Sequence, residues 1–98
     1  MGYQIIEKKR FQKKLFKLLE YLEKEWGYSV ATNFFADVKL HLNLLSTHPY
    51  IGSPETKKNV RSILITKHNR IYYRVEGNTI EVLNMYDIRM DPKKNKYQ

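Results

Sequence analysis

The sequence predicts an α+β fold: a short N-terminal strand, an antiparallel helix hairpin, then a three-stranded antiparallel β-meander with the helices packed on one sheet face. Three observations lead there. Two successive segments repeat apolar residues at spacings of three and four, with only Gly27 and Tyr28 between them. The segments after residue 59 are rich in Ile, Val, Tyr and Thr. Glu76-Gly77-Asn78-Thr79 carries the signature of a two-residue hairpin turn.

Each element has its own justification. "GYQIIEK" has a β-prone centre at residues 3–6, enough for one short strand. Over residues 7–26, Phe11, Leu15, Leu18, Leu19, Leu22 and Trp26 form one apolar stripe, which places Trp26 in the core at the helix end. Gly27 is a natural stop, because glycine adopts the left-handed backbone that ends helices. Ser29 offers an N-cap for a second helix over residues 29–47, with the stripe Ala31, Phe34, Phe35, Val38, Leu42 and Leu45. So short a connection makes the helices antiparallel neighbours with facing stripes. Pro49, Gly52 and Pro54 mark "HPYIGSPETKKN" as a loop, and strands follow at 60–67, 70–76 and 79–87. Without repeats or linkers, residues 1–98 read as a single domain.

Composition narrows the function. The chain has 18 Lys+Arg against 10 Asp+Glu, a formal net charge of +8, which favours a polyanionic partner such as nucleic acid or a strongly acidic protein. Zero Cys excludes disulfides, thiolate catalysis and Cys-ligated zinc. His41 and His48 have no carboxylate pattern around them, so no metal site is expected, nor any cofactor. There is no apolar run near membrane-spanning length and no signal-peptide pattern, which points to a cytoplasmic protein away from membranes.

The hairpin register sorts the strand residues by face. With Gly77 and Asn78 as the turn, Val75 lies opposite Ile80 and Tyr73 opposite Val82, and these share the core face with Ile71. The other face receives Arg74 opposite Glu81, Tyr72 opposite Leu83 and Arg70 opposite Met85, and continues through Asp87 and Arg89. A two-residue turn at His68-Asn69 would set Leu64 opposite Tyr73 on the core face. Arg61, Ile63, Ile65 and Lys67 would then join the open face; a one-residue change in that turn would reverse the assignment. The open face thus gathers Arg61, Lys67, Arg70 and Arg89 around Tyr72. Guanidinium groups hold phosphates bidentately and tyrosines stack on bases, so the mixture suits RNA. The competing reading is a half-solvated sheet with an ordinary Arg74–Glu81 pair.

The chain resembles the RelE/ParE superfamily of toxins from bacterial type II toxin–antitoxin systems. The resemblance rests on the helix hairpin with "WG", the "HP..G" loop, "VRSILITKHNRIYYRV" and "IEVLNMYDIRMDP". It implies a toxin that is monomeric when free and forms a hetero-oligomer with a cognate antitoxin. RelE-like members are ribosome-dependent endoribonucleases that cut messenger RNA without a metal. ParE-like members instead poison DNA gyrase. The expectation is growth arrest by mRNA cleavage on the ribosome, with gyrase inhibition as the alternative.

By that resemblance, Arg70 and Arg89 match catalytic arginines, and Arg61 falls where a lysine binds phosphate. Ile63 replaces the second lysine of that strand. The family's C-terminal tyrosine falls near Asn95, so Tyr86 or Tyr97 is the expected acid/base. Lys67, Tyr72, Lys93 and Lys94 complete the expected RNA-binding set. For a phenol to work near neutrality, neighbouring cations would have to lower its ordinary pKa near 10. His68 lies beside a turn, where capping is the simpler role. Asp87 and Asp91 are expected to pair with Arg89 or cap the tail.

Overall fold

The computed structural model describes residues 2–89. Strand β1 (Gln4–Glu7) leads into helix α1 (Lys9–Trp26) and helix α2 (Tyr28–Thr47). Strands β2 (Ser53–Pro54), β3 (Val60–Leu64), β4 (Asn69–Glu76) and β5 (Thr79–Asp87) follow. The five strands form one mixed sheet in the order β1-β5-β4-β3-β2. β1 runs parallel to β5, with Ile5 beside Ile80, and every other pairing is antiparallel. The expected α+β class with both helices on one face is present. The sheet gains β1 alongside β5 and the two-residue edge strand β2.

The helices pack their stripes onto the sheet. Phe11, Leu15, Phe34, Val38, Leu42 and Leu45 meet Ile63, Ile71, Tyr73, Ile80, Val82 and Met85 in one buried cluster. Burying an aliphatic or aromatic side chain of this size contributes roughly 1.5–3 kcal/mol. Trp26 departs from the expectation: it is 68% exposed, because α1 ends there and the core cluster reaches no further along the stripe than Leu22. The helix turn also differs. Gly27, at φ 100°, closes α1 through its N–H to the Glu23 carbonyl and is also the N-cap of α2. Ser29 lies inside the first turn of α2, so it is not the cap. A positive φ is cheap only for glycine, so one residue performs both reversals.

The β4–β5 turn forms as expected, with Glu76 opposite Thr79 around Gly77 (φ 57°), and Arg74 opposite Glu81. Past Tyr73 the register slips by one. Tyr72 faces Asn84, Ile71 faces Met85 and Arg70 faces Tyr86. The β-bulge opposes Leu83 and Asn84 to a single residue, so Met85 turns into the core instead of flanking Arg70.

The β3–β4 turn overturns a second expectation. Ile65 N–H donates to the Asn69 carbonyl, leaving Thr66, Lys67 and His68 as the turn. Leu64 therefore faces Arg70 and is 43% exposed, whereas Ile63 and Ile65 enter the core. Arg61 moves to the Tyr73 side of the sheet, and Ser62 comes opposite Tyr72. Adding one residue to a turn flips every side chain beyond it, because strands alternate with period two.

Candidate functional site

The far end of β4 and β5 brings together two of the expected residues. Arg70 and Tyr86 are direct cross-strand partners. The Tyr86 ring stands edge-on to Tyr72, centroids 5.9 Å apart, and its hydroxyl accepts a hydrogen bond from Asn84 Nδ2 at 3.3 Å. Lys14 of α1 places its ammonium 3.4 Å from the Tyr86 ring centroid, where the negative face of the ring attracts a cation. Lys14 was not among the expected residues. Its position three after Phe11 and four before Leu18 puts it at the edge of the buried stripe, which is the signal that could have found it.

The other expected residues do not converge there. Arg70 donates from Nη1 to Ser62 Oγ at 2.9 Å, and Ser62 donates to Glu55 Oε2 at 2.6 Å. A buried serine thereby links a guanidinium to a carboxylate. Arg61 lies with Tyr73, donating from Nε to the Gly52 carbonyl (3.0 Å) and from Nη2 to the Tyr50 carbonyl (3.2 Å). It ties the 49–54 loop to the sheet. Tyr72 is fully buried with Val60 and Leu83, not a stacking surface. Lys67 is exposed in the β3–β4 turn. Lys93, Lys94 and Tyr97, like Asp91, lie outside the described residues.

Arg89 is paired with Asp87, as expected. Its Nη2 meets Asp87 Oδ2 at 2.6 Å and its Nε meets Oδ1 at 3.0 Å, while its backbone N–H also donates to Oδ1. The Arg89 guanidinium holds the Asp87 carboxyl at about 2, below its ordinary 3.8, and Asp87 in turn raises the pKa of Arg89. His68 contributes to the Asp87 shift as a weaker charge, and its carbonyl accepts the Ile88 N–H at 2.8 Å. The remaining histidines are locally bound: His41 Nδ1 to the Asp37 carbonyl, His48 Nδ1 to Thr47 Oγ1. Among the described residues no group of three His, Asp or Glu is placed to hold a metal ion.

Tyr73 and Gly52 fix the loop that Arg61 binds. The Tyr73 hydroxyl donates to the Pro49 carbonyl (2.7 Å) and accepts from the Gly52 N–H (3.1 Å). A Cβ on Gly52 would fall 2.5 Å from that hydroxyl, so only glycine fits the approach. Burial pushes the Tyr73 pKa above its ordinary value of 10, against the opposing pull of the Gly52 N–H and Arg61.

A concave feature lies between the helices. A groove of about 880 Å³ opens over Leu15, Phe16, Leu19 and Phe35, bordered by Lys9, Lys13, Lys17 and Lys39. The same Phe16, Leu19 and Phe35 also line a shallower continuation toward Tyr28, bordered by Glu20 and Glu23. Phe16 is 70% exposed and Tyr28 71%. No helix among the described residues is long and apolar enough to cross a membrane.

Known proteins share the architecture of two helices on one face of a mixed sheet. A chain of the chromosomal ParDE toxin–antitoxin system from P. aeruginosa superposes with a TM-score of 0.78 at 15% identity, covering 90% of this chain and 98% of that one. A chain of the E. coli DinJ–YafQ toxin–antitoxin complex gives 0.58 at 10% identity, covering 89% and 93%. A conserved hypothetical protein of Helicobacter pylori gives 0.57 at 18%, covering 87% and 93%. No curated protein sequence matches the chain. Residues 5–92 match the family described as ParE toxin of type II toxin-antitoxin system, parDE. The chain belongs to that family of toxins.

Proposed function

We propose that this toxin arrests growth by binding a macromolecular target rather than by cutting RNA, with DNA gyrase, the target of ParE-like members of the superfamily, as that target. A cognate antitoxin neutralises it, as in the ParDE and DinJ–YafQ pairs. The observation that carries this reading is the dispersal of the expected nuclease set among the described residues. Arg61 is bound to loop carbonyls, Tyr72 is buried and Arg89 is held by Asp87, leaving Arg70 and Tyr86 as the one adjacent pair. Phosphoryl transfer needs cations and proton-transfer groups converging on one phosphate.

Expression from a tightly controlled promoter tests it. Growth arrest with induction of the DNA-damage response and intact messenger RNA is the expected result. Rapid mRNA cleavage at ribosomal A-sites would overturn it.

A second reading, ribosome-dependent RNA cleavage, keeps one specific support: Arg70 beside Tyr86, with Lys14 on the ring. Under that reading Arg70→Ala and Tyr86→Phe each abolish mRNA cleavage while antitoxin binding survives. A cleavage-competent double variant would remove it.

A further inference from the structure

Between Glu7 and Glu20 the chain carries six cations and no carboxylate. Along α1, Arg10, Lys13, Lys14, Lys17, Tyr21 and Lys24 recur at spacings of three and four. At that spacing they share one side of the helix, within about 100° of arc, and Glu20 and Glu25 only flank it. The buried Phe11 and Leu15 point elsewhere. The stripe is exposed except at Lys14, whose ammonium lies on the Tyr86 ring. Arg10, Lys13, Lys17 and Lys24 make no ion pair among the described residues. Phe16 and Leu19 of the groove lie further round the helix, and of the stripe only Lys13 and Lys17 also border the groove.

Within the fold itself this stripe is unfavourable. Like charges three and four residues apart on a helix repel, and cations at the start of α1 oppose the positive end of its dipole. Nothing local offsets them: the first turn of α1 holds no acidic residue and Lys8 provides no side-chain cap. A merely solvated helix face is ordinarily laced with pairs of opposite sign. An acid-free line of cations instead complements a polyanion. We propose that this side of α1 docks on the backbone phosphates of duplex DNA. From Arg10 to Lys24 the helix axis rises about 21 Å. That length crosses a B-form major groove, about 12 Å wide, and reaches phosphates on both rims. The deep, narrow major groove of A-form RNA offers no such crossing. The choice of DNA rests in part on the reading above that the target is gyrase, an enzyme of duplex DNA; the cationic stripe rests on α1 alone.

Fluorescence anisotropy of the full chain with a labelled DNA duplex tests the docking. The slope of log affinity against log salt should be about −4, because each neutralised phosphate contributes about −0.9. Arg10→Ala/Lys17→Ala should make that slope shallower by about 2 and weaken binding at about 0.1 M salt tenfold or more. Lys57→Ala/Lys58→Ala removes the same charge from the exposed turn before β3 and should leave the slope unchanged. Relief of repulsion along α1 also means that Arg10→Ala/Lys17→Ala melts no lower than the parent chain, whereas a structural role for the two cations requires a lower Tm.

An unchanged slope in Arg10→Ala/Lys17→Ala, an equal loss in Lys57→Ala/Lys58→Ala, or a lower Tm in the first variant would overturn the proposal. So would tighter binding to double-stranded RNA of the same length, or competition by polyglutamate as strong as DNA's at matched charge, since these assign the stripe to RNA or to an acidic protein. Growth arrest is scored separately. A chain that induces the DNA-damage response but binds DNA independently of the stripe sinks the docking alone. One that cleaves mRNA yet keeps the stripe-dependent slope sinks the gyrase reading and leaves the docking standing.

Discussion

The arginines of the sheet and the lysines of α1 meet opposite circumstances. On the sheet, Arg61 is bound to two loop carbonyls, Arg70 to Ser62 and Arg74 to Glu81, while Arg89, exposed just past β5, is paired with Asp87. Along α1, Lys9, Lys13 and Lys17 make no ion pair among the described residues and border an exposed apolar groove. The difference follows from side-chain chemistry and backbone. A guanidinium is planar and lightly hydrated, so a half-buried strand can engage it in fixed hydrogen bonds. An ammonium on a four-carbon stem keeps its head in water while the stem covers apolar surface. Cations held inside the fold mainly support structure; cations left at the rim of an apolar groove are available to a partner. The sheet therefore reads as scaffold and the hairpin as recognition surface.

Breaking the scaffold should have the largest effect. Tyr73→Ala removes a buried ring and both hydrogen bonds to the 49–54 loop, and should cost about 3–5 kcal/mol in urea unfolding. The Tyr73 hydroxyl adds a pH signature. Its folded pKa lies above the unfolded value of 10, so its contribution is full below pH 10 and declines as pH rises through the folded value. Tyr73→Phe should therefore lose less stability than the parent chain between neutral and strongly alkaline pH. An unchanged slope would mean the hydroxyl is not buried as described.

Arg61→Ala should cost about 1 kcal/mol, since it removes two partly exposed hydrogen bonds and leaves no buried charge behind. Growth arrest should persist. Loss of toxicity with stability intact would return Arg61 to the target-binding surface and blur the division between the two regions.

This division was only half legible in the sequence. The helix stripes, the antiparallel hairpin and the Gly77-Asn78 turn all follow from local patterns, and Phe11, Val38, Ile71 and Val82 are buried as those patterns require. The faces of β3 and of the outer half of β5 do not follow. Each depends on one extra residue, in the turn at 66–68 and at the bulge beside Leu83, and period-two alternation turns that single residue into a reversed face. Arg61 was misplaced for this reason, whereas Tyr72 keeps its expected face and is buried there with Val60 and Leu83. The groove was hidden differently. Phe16 lies off the apolar stripe and Phe35 on it, and only the packed hairpin shows that both border one surface.

In the groove itself, Phe16→Ser should change stability by less than about 0.5 kcal/mol, because a ring 70% exposed loses little on truncation. A loss of 2 kcal/mol or more would show that Phe16 belongs to the core, and the hairpin would then be scaffold as well.

The smallest effect tests whether Arg89 belongs with the scaffold. Asp87 should titrate at about 2 by carboxyl NMR, and Arg89→Ala should return it toward 3.8. The folded value is depressed, so the pair's contribution is present above the unfolded value near 3.8 and is lost as pH falls through about 2. Both side chains are well exposed, so water and salt screen the pair and the stability change is slight. Its functional meaning is larger. If Asp87 holds Arg89 away from a target phosphate, Asp87→Ala should strengthen retention on a phosphocellulose column through Arg89 alone, and Asp87→Ala/Arg89→Ala should cancel the gain. An Asp87 that titrates near 3.8 in the parent chain would leave Arg89 unrestrained, and would move it from the scaffold to the recognition surface.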